Sequence, residues 1–220
     1  MKKVIFVLFI INLTLINNLF SQNKFSFGFK SSYSSSNINF YNNFFPQNIK
    51  TNSLNKFDYS FVAEIKNLKK TGIRIEISKK TKGWTQSDNT NIFVNNEFTY
   101  LNIPIMMTTY FGNSNSKINF SIGPYADFLL ENNLINNNNF SGLDFGFNEE
   151  RDNNFGYGIM VSTGLSFDFD KNSFQLLVSY NYNFDNLIDV ESKNSAIPDI
   201  SNFNTISISF VYLFNFLRSE

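Results

Sequence analysis

Six side chains, Asp58, Glu64, Lys66, Arg74, Glu76 and Asp127, have the types that acid-base or proton-relay chemistry needs. Carboxylates held close together or beside a guanidinium have shifted pKa values and can pass a proton near neutral pH. The rest of such machinery is missing. With no histidine and no cysteine among 220 residues, there is no Ser-His-Asp triad, no thiolate nucleophile and no thiolate or imidazole metal ligand. A serine with a lysine, or a carboxylate dyad, would remain, and no spacing supports either. DFDKN, Asp168 to Asn172, carries the first three ligand positions of a calcium loop, but the sixth position is Ser173 instead of glycine and the twelfth is Ser179 instead of glutamate. It reads as a turn. Gly156, Gly158 and Gly164 are spaced like a phosphate loop, yet GYGIMVSTG opens no helix and lacks the lysine that follows one. No catalytic residue, cofactor or metal site is assigned on these grounds, and the chain reads as non-enzymatic.

What positions the six ionisable residues is a period of two. From Phe155 to Phe167 the odd positions are aromatic, aliphatic or Thr163, while the even ones are small or polar apart from Met160. After DFDKNS the apolar set moves to Phe174, Leu176, Val178, Tyr180, Tyr182 and Phe184. Such alternation marks strands, here two long ones joined by a tight turn. The same test finds six more, at Phe25 to Phe29, Phe57 to Ile65, Ile73 to Ile77, Leu101 to Phe111, Ile118 to Leu130 and Ile206 to Phe214. Their connections alternate between short (67–71, 112–117, 168–173) and long and polar (34–56, 81–96, 131–154, 185–203). A strand crossing a bilayer needs about nine to eleven residues, apolar toward lipid and small or polar on the other face. The expected fold is therefore all-β: an eight-stranded antiparallel up-and-down transmembrane β-barrel with short periplasmic turns and long extracellular loops. Pro104 and Pro124 fall inside the fourth and fifth strands, where a closed barrel has no free edge for a residue lacking a backbone donor. They predict bulges, facing each other.

In that barrel the six ionisable residues point inward. Eight strands enclose a lumen just wide enough for side chains to fill, and charges kept from water must pair. A structural lumen plug of Glu64, Arg74, Glu76 and Asp127 thus outweighs a catalytic cluster. Met160, Leu177, Val211 and Leu213, also at inward positions, speak against a wide pore. Lys79, Lys80, Lys82 and Trp84 fall at the outer end of the third strand. There they predict a contact to lipopolysaccharide phosphates with Trp84 in the interfacial belt, a solvated rim being the plainer alternative. The loop acids Glu149, Glu150, Asp152, Asp185, Asp189 and Glu191 read as solvated.

Residues 1–21 read as a signal peptide: Lys2 and Lys3, an apolar run from Val4 to about Leu15, and cleavage after Ser21. Residues 22–220 are then one outer-membrane β-barrel domain. Eighteen basic and eighteen acidic residues give no net charge, which argues against a nucleic-acid partner.

At YLNIPIMMTTYFG (Tyr100 to Gly112) and INFSIGPYADFLL (Ile118 to Leu130) the sequence resembles the PorT-like outer-membrane β-barrel family of the Bacteroidetes. EISKKTKG, Glu76 to Gly83, is similar to that family's polar strand end. The resemblance implies an eight-stranded outer-membrane barrel and brings no catalytic residues; its name-giving member is tied to protein secretion by the type IX pathway. The function expected is a structural or interaction module of the outer membrane, an accessory of protein secretion in its most specific form. Its partners would be outer-membrane lipid and lipopolysaccharide, and secretion or envelope proteins at the extracellular loops. Two alternatives stand beside it: a narrow pore for small solutes, and a soluble lipocalin-like barrel with the apolar face turned in.

Overall fold

A computed structural model describes residues 23–41, 51–67, 70–87, 93–112, 115–136, 152–169, 171–188 and 200–216. The signal-peptide segment lies outside them, as do Glu149, Glu150, Asp189 and Glu191 of the loop acids. Eight strands form in chain order: β1 (Asn23–Tyr41), β2 (Asn52–Asn67), β3 (Thr71–Ser87), β4 (Phe93–Gly112), β5 (Ser116–Asn136), β6 (Phe155–Phe169), β7 (Asn172–Asn183) and β8 (Ile200–Phe216). Each pairs antiparallel with the next, and β1 closes on β8 from Phe25 opposite Phe216 to Tyr41 opposite Ile200, giving a closed barrel. Closure leaves no sheet edge.

The alternation of side chains sets the two faces. Phe29, Phe61, Ile75, Ile105, Ile122, Leu176 and Ile208 are exposed on the outside, while Ser32, Glu64, Arg74, Asn119, Ser162 and Ser209 are buried within. An apolar exterior around a polar interior excludes the lipocalin-like alternative, which needs the reverse. Aromatic residues flank the belt: Phe57, Phe111, Phe155, Phe167 and Phe214 all point outward. The tight connections lie between β2 and β3, β4 and β5, and β6 and β7. Lys70, with φ 71°, and Gly112, with φ 133°, supply the left-handed backbone that two of them require. We call this the turn end, and the opposite mouth the loop end.

Two expectations are corrected. The strands run well beyond the apolar stretches that mark them in the sequence: β1 has 19 residues, β4 20 and β5 21. Past the apolar band no lipid selects the outward side chains, so Ser34 to Tyr41 and Glu131 to Asn136 lose the alternation while the backbone ladder continues. The prolines make no bulges. The ladder skips two positions at each, between Ile75/Ile105 and Ser78/Asn102 on β3 and β4, and between Pro104/Tyr125 and Met107/Ile122 on β4 and β5, and the register is unchanged on both sides. A missing donor removes pairing without inserting a residue. Register shifts occur elsewhere, between Ser53 and Tyr59 and between Thr99 and Tyr100.

Candidate functional site in the barrel lumen

Alternate residues of every strand converge on the axis and fill the lumen in tiers. Near the turn end, β2 brings Glu64 and β3 brings Arg74, which sit opposite each other in the ladder. Arg74 Nη2 and Nε donate to Glu64 Oε2 at 2.7 and 3.1 Å. The Tyr110 hydroxyl of β4 donates to the other carboxylate oxygen, and Arg74 Nη2 also reaches Gln175 Oε1 of β7 at 2.5 Å. Glu64 and Arg74 are completely buried. A charge pair this far from water needs further hydrogen bonds to offset its desolvation; Tyr110 and Gln175 supply one to each partner, while Arg74 Nη1 is buried without one among the described residues.

The next tier is apolar on one side, where Val62, Leu177, Val211 and Leu213 pack together, and ionic on the other, where Lys30 Nζ meets Glu76 Oε2 at 2.8 Å. Asp58 accepts from the Ser34 hydroxyl at 2.5 Å and from the Thr81 amide at 2.9 Å. Met106, Tyr125 and Met160 fill the facing wall. Lys80 joins Lys30, Asp58 and Glu76 around a cavity of about 10 Å³.

Above this, Lys82 pairs with Asp127, and its Nζ donates to Asn183 Oδ1 at 2.8 Å. Asn102 donates to Asp127 Oδ1 at 2.7 Å and the Tyr125 hydroxyl to Asn183 Oδ1 at 2.7 Å. Lys82 Nζ also lies 4.9 Å from the Tyr125 ring centre and 5.5 Å from that of Tyr100, within cation–π range. The loop-end tier is then a cluster of Ile38, Trp84, Phe98, Tyr100, Leu187 and Phe203. Trp84 stacks on Phe98 with ring centres 5.6 Å apart and meets Phe40 edge-on at 5.2 Å. Leu187 enters this cluster from the segment after β7, whose amides bond to Ser201: Leu187 N to the carbonyl at 2.8 Å and Ile188 N to Oγ at 2.9 Å. On the same segment Asp185 accepts the Tyr157 amide at 2.8 Å, and burial pushes its carboxyl above the ordinary aspartate range.

The residues singled out in the sequence are distributed as follows. Glu64 and Arg74 meet each other, Glu76 meets Lys30, and Asp127 meets Lys82; they occupy successive tiers of the lumen instead of one cluster. Lys66 lies 3.6 Å from Glu64 Oε1. The four residues expected to share a rim facing lipopolysaccharide are divided. Lys79 points outward, but Lys80, Lys82 and Trp84 are 6, 0 and 0 % exposed inside the barrel, out of reach of a lipid headgroup. The physical reason is parity: these three alternate with Lys79 and Thr81 and share the face of Arg74 and Glu76. Lys30, Tyr110, Gln175 and Asn183 also belong to the site; inward parity in their strands is the one signal of it that the sequence carries. Among the described residues no group of three or more carboxylates could hold a metal ion.

The comparisons agree with this architecture. OprG from Pseudomonas aeruginosa, an outer-membrane protein, superposes with a TM-score of 0.52 at 11% identity, over 89% of this chain and 96% of its own. Neisserial surface protein A gives 0.50 at 10% identity, over 87% of this chain and 97% of its own. At such identities the likeness is one of fold. No curated protein matches the sequence. The family model described as outer membrane protein beta-barrel domain matches residues 20–189, most of the chain and the whole of seven of its eight strands. The protein is an outer-membrane β-barrel, and it belongs to the outer membrane protein beta-barrel domain family.

Proposed function

We propose that this protein is a non-enzymatic, non-conducting barrel that serves the outer membrane as a structural or interaction module. The observation that carries the reading is the filled lumen: ion pairs and hydrogen bonds from Glu64 to Asp127, then an aromatic stopper around Trp84. A barrel whose axis is occupied has its faces left for function. Outward apolar side chains meet outer-membrane lipid and lipopolysaccharide, and the loop end meets other envelope proteins. Barrels of this kind keep short turns in the periplasm and long loops outside, which would put the aromatic stopper toward the cell exterior. Export would use the signal peptide at residues 1–21. The PorT-like resemblance makes an accessory role in protein secretion the most specific form of this reading.

Planar-bilayer recording from the purified, folded barrel tests it. The expected result is an unchanged baseline under applied voltage. Reproducible single-channel steps that grow in Trp84→Ala would overturn it in favour of a narrow pore. For the secretion role, a strain lacking the protein is expected to retain cargo in the periplasm, and normal release of all secreted proteins would remove that part alone.

A further inference from the structure

The turn-end mouth differs from the tiers above it. A cavity of about 300 Å³ opens there, lined by Lys24, Lys66, Lys70, Lys117, Asp168 and Tyr110 among others. That volume is at the small end of ligand pockets, about 300–1,000 Å³. Lys24 and Lys66 are directly opposite each other on β1 and β2, and both have inward parity. Like charges facing across a ladder repel, and deeper in the lumen Lys30, Arg74 and Lys82 each meet a carboxylate instead. Lys117 enters from β5 and Lys70 from the β2–β3 turn.

Carboxylates do not balance this set. Asp168 is held by Lys117 at 2.5 Å and by the Ser173 hydroxyl at 2.6 Å. Glu64 is engaged by Arg74 at 2.7 Å and reaches Lys66 only at 3.6 Å, while Lys66 Nζ rests 4.3 Å from the Tyr110 ring centre. Among the described residues Lys24 and Lys70 have no carboxylate partner, and Lys70 Nζ donates to the Gly112 carbonyl at 3.3 Å. Four ammonium groups around one cavity, two facing each other in the ladder and only one bound to a rim carboxylate, form an electropositive cup that focuses a field on small anions.

We propose that the turn-end mouth is a binding site for a multivalent oxyanion of the phosphate type, held by Lys24, Lys66 and Lys70 and bordered by Lys117. Lysine ammonium groups bind such anions as point charges with several donors each. The anion would relieve the repulsion between Lys24 and Lys66. The group could arrive as a free phosphate or on the headgroup of an anionic phospholipid, and the chemistry of the cup is the same for both.

The test is calorimetric titration of pyrophosphate into the full-length folded barrel at low salt, in nanodiscs of phosphatidylcholine and of phosphatidylglycerol. Saturable one-site binding is expected in phosphatidylcholine. Lys24→Gln with Lys66→Gln should weaken it at least about tenfold, the loss of a charge-assisted hydrogen bond, whereas Lys79→Gln on the outer face should leave it unchanged. Lys70→Gln lies in a turn, leaves the ladder intact and should also weaken binding, which covers the case of a double variant that fails to fold. Weaker apparent binding in phosphatidylglycerol would identify the lipid headgroup as occupant, and equal binding the free anion. No saturable heat in the wild type, or binding indifferent to all the lumen lysines, would overturn the proposal. Conductance does not enter this test, so it can fail without touching the non-conducting reading.

Discussion

Near the turn end the lumen is filled by ions: Arg74 grips Glu64, while the Tyr110 hydroxyl donates to the other carboxylate oxygen and Gln175 accepts from Arg74 Nη2. At the loop end it is filled by rings, with Trp84, Phe98, Tyr100 and Phe203 packed on Ile38 and Leu187. Both regions draw on the inward parity of β3 and β4; β2 and β7 complete the first, and β1, β8 and the segment after β7 complete the second. They differ in how they fail. A buried ion pair is all or nothing, because removing one member leaves the other charged and dry. A ring cluster responds in proportion to the volume removed. The ionic tier therefore specifies partners, and the aromatic tier closes space.

Variants can break this contrast, beginning with the largest effect. Arg74→Ala strands Glu64 and should lower unfolding stability by about 3–5 kcal/mol, read from urea titration of the folded barrel in vesicles; a change under about 1 kcal/mol would mean the pair is not buried as described. Trp84→Ala should cost about 3 kcal/mol, the low end for an aromatic truncation in a packed site, with Trp84→Phe recovering most of it. If both Trp84 variants were equally damaging, the tier would depend on a specific contact instead of volume. Replacing the pair together, Glu64→Gln with Arg74→Met, should cost less than Arg74→Ala alone, because no uncompensated charge remains; a double variant worse than the single would place the ionic tier among the net stabilisers. Smallest of all is Lys79→Ala on the outer face, within about 0.5 kcal/mol by the same titration. A larger loss there would show that Lys79 has an ordered partner in the membrane.

How much of this was legible in the sequence depended on where lipid enforces the alternation. Strand number follows from the eight alternating stretches, and the inward placement of Glu64 and Arg74 from Phe57 to Ile65 and Ile73 to Ile77, where every second residue is apolar. Beyond Ile77 the outward residues are Lys79 and Thr81, so the pattern vanishes although the parity continues, and in the sequence Lys80, Lys82 and Trp84 look like a rim. Lys30 was hidden in the same way among the serines of β1. Partners across the lumen were less accessible still. Arg74 and Gln175 are 101 residues apart, as are Lys82 and Asn183, and only the stagger of the closed sheet determines which side chains share a tier. Carrying parity past the apolar run, up to the next bulge, would have recovered the inward lysines and the tryptophan, though not their partners.

Trp84 is the chain's single tryptophan, so its fluorescence reports directly on whether inward parity persists to the loop end and stoppers the lumen. The measurement is emission from the folded protein in vesicles, quenched by brominated lipid from the membrane side and by iodide from the water side. Burial among Phe40, Phe98 and Phe203 predicts a blue-shifted band that neither quencher reduces appreciably. Strong quenching by brominated lipid would put Trp84 on the outer face, and strong quenching by iodide would put it in an open, water-filled mouth; either result would contradict the filled lumen.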